Sequence, residues 1–412
     1  MKQIITCLDC GSSKIKIVVG EMYKEKLNVL ACLEVKGKGI KKGLIVNSEE
    51  AIVSIKNSFE KIESVLEIKI NKVIAIVPAY FAEYQVVEGF STITNETKMI
   101  HGDDILRVMQ GAVYNKVPEN KELITIIPIE FWIDEKEKVK DPKRKIGNKL
   151  SAKAMLVTAP KKNTFGILSV LETLGIEVVD ICFSYIADYY EYIKEEYNEK
   201  NVAVINLGAD KTEIGIFHKN IPVASDVLPY GSRNIDRDIS YMYDINLTDA
   251  RKLKERFAYA ESKDASANEI EAVLTKSGEN IKINQYEVSE IVYSRIKEIF
   301  ELAKKQINFL TKKEISYIIV TGGMAELLGI DEVLKEVLGK KYLLPNIEEM
   351  GIRNSRFSSC AGFIKYYYKK LKFREKFAST IEEVEEENLF YKKKNISNGN
   401  VLGKIYEYFF DN

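Results

Sequence analysis

Two well-separated stretches of the chain share one pattern of apolar and polar positions. The first hairpin, residues 6–19, reads TCLDCGSSKIKIVV: an apolar strand, a Gly/Ser turn and an alternating second strand. The second hairpin, residues 203–217, repeats the plan as AVINLGADKTEIGIF. Each pattern predicts a β-hairpin, because glycine and small residues allow the tight turn between two strands.

Such turns aim backbone N–H groups outward and form concave nests for anions, above all phosphate. Taken singly, each hairpin is also consistent with an ordinary turn of an α/β protein. The repeat favours a duplicated fold in which the two turns face each other across a cleft. Asp9, at the end of the first strand, is then predicted to hold Mg²⁺ through water.

A third segment, residues 315–323, reads ISYIIVTGG, which predicts a buried strand that ends in a glycine pair. Gly322 and Gly323 lack side chains, so a flat group such as adenine or ribose can approach the backbone closely. Elsewhere in the chain, the spacing of apolar residues predicts two helices, over residues 101–114 and 285–310. The second of these is predicted to be a core helix.

The C-terminal residues change character twice. Residues 379–400 are rich in Glu, Lys, Asn and Ser and predict a flexible linker. Residues 401–412 begin VLGKIYEYFF, and on a helix they carry an apolar face suited to a membrane surface. The predicted membrane contacts are Leu402, Ile405, Tyr406, Phe409 and Phe410. The alternatives are a short helix that packs back onto the protein's own core and a frayed terminus.

Composition narrows the function classes. The 412 residues contain 61 Lys plus Arg and 61 Asp plus Glu, and this neutral balance gives no support to nucleic-acid binding. Only two histidines occur, which argues against a histidine-dependent triad or metal cluster. Five cysteines in apolar stretches predict reduced core thiols. The absence of a leader-like start and of a membrane-spanning apolar run predicts a cytosolic or membrane-surface protein.

The order of phosphate hairpin, second phosphate hairpin and strand-Gly-Gly resembles the actin, Hsp70 and hexokinase superfamily. Within it the chain resembles the FtsA family of bacterial cell-division proteins. Three features carry this likeness: the Leu8–Ser13 hairpin LDCGSS, the segment 83–162 with its predicted helix and strand 124–129, and the polar linker with its amphipathic tail.

The resemblance implies an actin-like (ribonuclease-H-like) α/β fold of two domains with a small α+β insertion and a C-terminal amphipathic tail. The expected divisions are 1–82 and 163–200 for the first actin-like half, 83–162 for the insertion, 201–378 for the second half, 379–400 for the linker and 401–412 for the membrane-targeting helix.

It also implies ATP as the cofactor, with Mg²⁺. The expected nucleotide ligands are Asp9, Gly11, Ser12, Ser13 and Lys14 from the first hairpin; Asn206, Gly208, Ala209, Asp210, Lys211 and Thr212 from the second; Gly231, which follows a strand of the second half; and Lys254, Gly322, Gly323 and Met324 around the adenosine.

The sequence departs from the family pattern at several of these positions. Asn206 stands where Asp is usual, Ala209-Asp210 replace two glycines, Met324 replaces a third glycine, and Arg251 replaces an acidic residue near the ribose. No residue is a clear general base. These departures predict ATP binding with weak or absent hydrolysis.

The implied function is a membrane-associated filament at the division septum, on the cytoplasmic face of the cell membrane. The expected partners are the C-terminal peptide of the tubulin-like protein FtsZ, further copies of the chain, an anionic membrane surface and later divisome proteins. One alternative is a pilus-assembly scaffold similar to PilM. Another is a small-molecule kinase of the same superfamily, which would need a catalytic Asp beside a substrate pocket.

Overall fold

The computed structural model describes residues 2–352 and 354–382. The first half contains a mixed five-stranded sheet. The elements of this half that precede the insertion are β1 (Gln3–Cys10), β2 (Lys14–Tyr23), β3 (Lys26–Lys36), β4 (Ile40–Lys41), β5 (Leu44–Ile45), α1 (Ser48–Leu66) and β6 (Lys72–Val77). β1 is central and covered on both faces, which explains its nearly continuous apolar run.

The insertion interrupts the first half after β6. It comprises β7 (Glu83–Thr92), α2 (Gly102–Val113), β8 (Lys121–Ile133), β9 (Glu137–Val139) and β10 (Lys149–Pro160). The four strands form an antiparallel sheet in the order β7-β10-β8-β9, and α2 packs on it over a separate apolar core. The predicted helix over 101–114 and the strand over 124–129 are therefore present as α2 and part of β8.

The chain then completes the first half and enters the second. The first half ends with α3 (Phe165–Thr173), β11 (Glu177–Phe183) and α4 (Ser184–Tyr192). The second half opens with β12 (Asn201–Leu207), β13 (Thr212–His218), β14 (Ile221–Leu228), α5 (Ser232–Met242) and α6 (Leu247–Lys252). It continues with β15 (Ile270–Leu274), β16 (Asn280–Asn284), α7 (Gln285–Leu310), β17 (Tyr317–Thr321), α8 (Ile330–Leu338), β18 (Tyr342–Leu343) and α9 (Ser358–Phe373).

The two halves repeat one sheet topology. In the first, β3, β2 and β1 form an antiparallel meander, and β6 and β11 follow in parallel. In the second, β14, β13 and β12 form the meander, and β17 and β18 follow in parallel. The duplication predicted from the two hairpins is therefore present in the fold.

Two helices join the halves at the base of the cleft. α4 and α9 approach so closely that a Cβ on Gly362 would lie 1.9 Å from the backbone oxygen of Ala187. Tyr190 of α4 stacks on Tyr366 of α9 with ring centroids 4.2 Å apart. Tyr189 stacks on Phe217 of β13 at 3.8 Å, so α4 also packs on the second sheet. This packing fixes the two hairpins relative to each other.

The predicted core helix over 285–310 is α7, which begins at the Asn284 cap, whose side chain accepts from the Glu287 N–H. The residues of 401–412, with the five predicted membrane contacts, lie outside the described residues, as does most of the linker. Among residues 2–352 and 354–382, no helix is long and apolar enough to cross a bilayer.

Candidate functional site

A cavity of about 360 Å³ opens between the two hairpins and the end of β17. This volume is within the range of about 300–1,000 Å³ that is usual for ligand pockets. Most of the predicted ligands line it: Asp9, Gly11, Ser12, Ser13, Lys14, Asn206, Gly208, Ala209, Asp210, Lys211, Lys254, Gly322, Gly323 and Met324. Thr212 and Gly231 do not line the cavity. They lie behind the second hairpin and support it.

Both hairpin turns exclude a side chain at their glycine. A Cβ on Gly11 would lie 2.9 Å from the Lys14 backbone oxygen, and one on Gly208 would lie 2.8 Å from the Lys211 backbone oxygen. These distances are too short for a Cβ, so the turns close only with glycine. The same closeness in both halves gives the cleft two matching backbone cradles.

The second hairpin is held from behind by the start of α5. The N–H groups of Ser232 and Arg233 donate to the backbone oxygens of Gly208 and Ala209 at 3.0 and 2.8 Å. A Cβ on Gly231 would lie 2.6 Å from both of those oxygens. The Thr212 hydroxyl donates to the Tyr230 backbone oxygen at 2.8 Å. Gly231 and Thr212 therefore support the turn from behind rather than line the cavity.

Asp9, the predicted Mg²⁺ carboxylate, is paired with a lysine. Lys16 Nζ donates to Asp9 Oδ2 at 2.7 Å and to the Arg356 backbone oxygen at 2.8 Å. Burial is the largest single influence and lowers the pKa of Lys16, but the combined interactions with Asp9, Cys360 and Glu34 outweigh it, so the pKa is raised. Lys14, named from the sequence, pairs with Glu34 at 3.0 Å at the rim of the cavity.

Asn206 is tied to a buried carboxylate that the sequence did not reveal. Asp188, on α4, is fully buried and accepts a 2.6 Å hydrogen bond from Asn206 Nδ2. It also accepts from the hydroxyls of Thr321, Ser358 and Ser359 at 2.7–2.8 Å. Burial raises the pKa of Asp188. This residue joins β12, β17 and the first turn of α9 at one point.

Two arginines pair with aspartates of the second half and also reach the first hairpin across the cleft. Arg233 pairs with Asp210 at 2.8 Å, and its other nitrogen donates to the Ser12 backbone oxygen at 3.2 Å. Arg251 contacts Asp236 at 3.3 Å and donates to Ser13 Oγ at 3.1 Å. The charge of Asp210 therefore does not face a phosphate unopposed. Both arginines join the second half to the first hairpin.

The end of the cavity that is expected to face the adenosine is formed by the turn after β17. Gly322 has φ 91°, in the region that favours glycine, and its Cβ would lie 2.5 Å from the Leu207 backbone oxygen. Met324 is buried where a third glycine was expected. Lys254 is buried against Asp236 and donates to the Ser232 backbone oxygen at 3.2 Å; burial lowers its pKa.

An ion pair between Lys211 and Glu213 lies beside the second hairpin, where Lys211 lines the cavity. Lys211 Nζ is bonded to Glu213, whose side chain is almost fully buried. Glu213 also accepts from the Ser184 hydroxyl and from the Ala79 N–H, the latter at 3.2 Å. Sequence reasoning missed Lys16, Asp188, Arg233 and Glu213. The only local signal was the presence of charged residues in otherwise apolar segments.

Comparison with known proteins places this cleft in a family. The family model of cell division protein FtsA matches residues 203–362, and the model of the SHS2 domain inserted in FtsA matches residues 82–158. The cell division protein FtsA of Bacillus subtilis (strain 168) is 27% identical over 366 residues, which are 88% of this chain and 83% of the relative. The FtsA of Streptococcus pneumoniae is 28% identical over 354 residues, 86% of this chain and 78% of the relative.

The chain belongs to the FtsA family. It is thus an actin-like cell-division protein, and the second model matches almost the whole of the predicted insertion.

Solved structures confirm the fold. The PilM–PilN type IV pilus biogenesis complex matches with a TM-score of 0.59 at 13% identity, covering 90% of this chain and 98% of that one. MreB5 of Spiroplasma citri bound to ADP matches with a TM-score of 0.53 at 13% identity, with the same coverage. At this identity the likeness concerns the fold alone.

Proposed function

We propose that this protein binds ATP in the cleft, assembles into filaments on the cytoplasmic face of the membrane and anchors FtsZ there during division. The observation that carries the proposal is the matched pair of glycine-closed hairpins facing each other beside the Gly322–Gly323 turn. Two facing nests of backbone N–H groups suit a polyphosphate, and a backbone without side chains suits the flat adenosine.

The lining residues supply the groups that a nucleotide needs. Gly11–Ser13 and Gly208–Asp210 would hold the phosphates, and Gly322–Met324 with Lys254 would face the adenosine. Mg²⁺ would shield the phosphate charges, with Asp9 as its carboxylate through water. The cations Lys16, Arg233 and Arg251 would balance the remaining phosphate charge.

Weak or absent hydrolysis follows from the pairing of the carboxylates near the hairpins. Asp9 is bound to Lys16 and Asp210 to Arg233. A general base must be free to accept a proton from water, and a carboxylate in an ion pair is a poor acceptor. Asn206 is neutral. We therefore propose a nucleotide-binding switch that turns over slowly.

Membrane attachment rests on the sequence of the tail. The predicted apolar face of 401–412 is short, and each buried aromatic contributes only about 1.5–3 kcal/mol. One tail would therefore bind weakly, while many tails on one filament would bind by avidity. We also propose that residues 379–400 act as a linker and that the domain divisions given above apply. The proposed partners are the FtsZ C-terminal peptide and later divisome proteins.

The test is co-sedimentation of the full chain with liposomes that contain anionic lipid, with and without ATP and Mg²⁺. Pelleting that requires residues 401–412 and increases with nucleotide is expected. Phe409→Asp, on the predicted apolar face, should abolish pelleting. Glu407→Gln, on the polar face, is the matched control and should pellet as the unaltered chain does.

Equal pelleting of the full chain and a chain truncated after Asn400 would overturn the membrane anchor. Independence from nucleotide would overturn the link between ATP and assembly. Binding of a fluorescent FtsZ C-terminal peptide, followed by anisotropy, tests the partner separately.

A further inference from the structure

Lys211 and Glu213 form an ion pair beside the cleft that the proposed phosphate-binding role of the backbone N–H groups does not require. Lys211 is on the turn of the second hairpin, and its side chain is largely buried against Glu213. A Cβ on Gly43 would lie 3.3 Å from Lys211 Nζ and 3.5 Å from Pro78, so this cation reaches segments of the first half. Gly43 in turn donates from its N–H to Ser12 Oγ at 3.0 Å.

This corner lies away from the adenosine end. Gly322 packs on Leu207, and Gly323 packs on Arg356. Lys211 instead lies beside Gly43, and its Nζ is 5.6 Å from the ring centroid of Tyr80 in the loop that follows β6. A nucleotide whose base lies at Gly322–Gly323 runs its phosphates between the two hairpins. Its last phosphate would then lie on the side of the cavity that Lys211 lines.

Glu213 connects this corner to the junction of the two halves. Its carboxylate accepts from three elements: Lys211 on the second hairpin, the Ser184 hydroxyl at the first residue of α4, and the Ala79 N–H after β6. Ser184 and Ala79 belong to the first half. A change in the Lys211–Glu213 pair therefore alters hydrogen bonds to both halves.

We propose that Lys211 distinguishes a nucleoside triphosphate from a diphosphate, and that Glu213 is a positioning residue that carries the difference to Ser184 and Ala79. The inference rests on the proposed nucleotide function of the cleft. A terminal phosphate competes with the Glu213 carboxylate for the ammonium group of Lys211. A diphosphate ends short of that group and leaves the pair intact.

The physical basis is the cost of a buried charge. Glu213 has an almost fully buried side chain, so its carboxylate depends on its donors. When a phosphate takes part of the lysine's hydrogen bonding, the carboxylate must draw closer to the Ser184 hydroxyl and the Ala79 N–H. The terminal phosphate thereby tightens the contact between the halves.

The first test compares the affinities of the full chain for ADP and for a non-hydrolysable ATP analogue by calorimetry. Lys211→Met should weaken the triphosphate about 10-fold or more, as expected for loss of one charge-assisted hydrogen bond. Diphosphate affinity should stay within about 2-fold, since the diphosphate does not reach Lys211. Lys211→Arg should retain the preference.

Lys219 provides the matched control. It follows β13 at the opposite end of the strand from Lys211 and pairs with Glu199 on the surface. Lys219→Met removes the same charge and should leave both affinities unchanged. Because Lys211→Met leaves Glu213 buried without a cation, Lys211→Met/Glu213→Gln removes both charges and should also lose the preference.

The second test follows hydrogen exchange of the peptide that contains Ala79. In the unaltered chain the triphosphate analogue should slow this exchange more than ADP does. Glu213→Gln should bind both nucleotides but show equal exchange with each. A merely structural role for Glu213 would leave the difference in place.

The outcomes separate the two proposals. If neither nucleotide binds the unaltered chain, the nucleotide function fails and this inference fails with it. If both bind and Lys211→Met keeps the original ratio of affinities, the function stands and the role of Lys211 is wrong. If the ratio changes but exchange at Ala79 does not follow the nucleotide, the role of Glu213 is wrong.

Discussion

The two hairpins have the same backbone conformation at the turn but differ in where the bonding partners of their polar side chains lie. In the first, Asp9 is satisfied within the same hairpin by Lys16. In the second, Asn206, Asp210 and Glu213 are bonded to α4, α5 and the loop after β6, and Glu213 also pairs with Lys211 of its own hairpin. Duplication preserved the turn, while the second turn became tied to its surroundings. The second hairpin is therefore the one suited to relay the state of the cleft.

The largest expected effect follows from removing Asp188. Asp188→Ala should lower the free energy of unfolding by about 3–5 kcal/mol, because the donors of Asn206, Thr321, Ser358 and Ser359 lose a buried acceptor. Asp9→Ala in the first hairpin should cost clearly less, since Asp9 and Lys16 are partly exposed. Urea denaturation measures both, and equal costs would contradict the comparison.

The next effect tests what the hairpins share. Gly11→Ala and Gly208→Ala should each cost about 1–3 kcal/mol, because the added Cβ meets a backbone oxygen at 2.9 or 2.8 Å. Nucleotide affinity should fall in both. Gly111→Ala, on α2, is the control, since its Cβ would meet Phe90 at an ordinary 3.6 Å. A loss of nucleotide affinity in only one hairpin variant would show that the cradles are not equivalent.

A smaller effect concerns the arginine beside the second turn. Arg233→Met leaves the Asp210 charge unopposed near the proposed phosphates and should weaken ATP about 10-fold, which is about 1.4 kcal/mol. Adding Asp210→Asn should restore most of the affinity. Calorimetry of both variants decides between charge balance and a purely steric role, because steric loss would not be rescued.

The smallest effect is a dependence on pH. Burial raises the pKa of Asp188 above its ordinary 3.8, so the folded state keeps a proton that the unfolded state has released. The unfolding free energy should therefore fall as pH rises above about 4, by at most ~1.4 kcal/mol per unit. Asp188→Asn lacks this proton, and its stability curve should be flatter over the same range. Parallel curves would contradict the assignment.

Local patterns predicted the parts of the fold that depend on neighbours in sequence. The two hairpins, the strand before Gly322, α2 and α7 all follow from apolar spacing, turn residues or caps over a short stretch. The facing of the hairpins across a cleft followed from their similarity. These predictions hold because each feature is fixed by a few consecutive residues.

The side-chain pairs of the site were not predictable in this way. Asp188 meets Ser358 and Arg233 meets Ser12 across 170 and 221 residues of sequence. Such contacts depend on the relative position of the halves, which no local pattern encodes. Thr212 and Gly231 show the converse: motif position suggested ligand contact, while packing assigns them to the support of the turn.

The route of the chain after α9 determines how a pull on its far end would be distributed. Glu375 accepts from the Gly102 N–H at 2.8 Å, and farther on Thr380 bonds to Ile4 and Thr6 of β1. Tension applied beyond residue 382 would load the bonds between Thr380 and β1 before it reached the start of α2. The bonds of Thr380 would therefore carry the load ahead of the insertion.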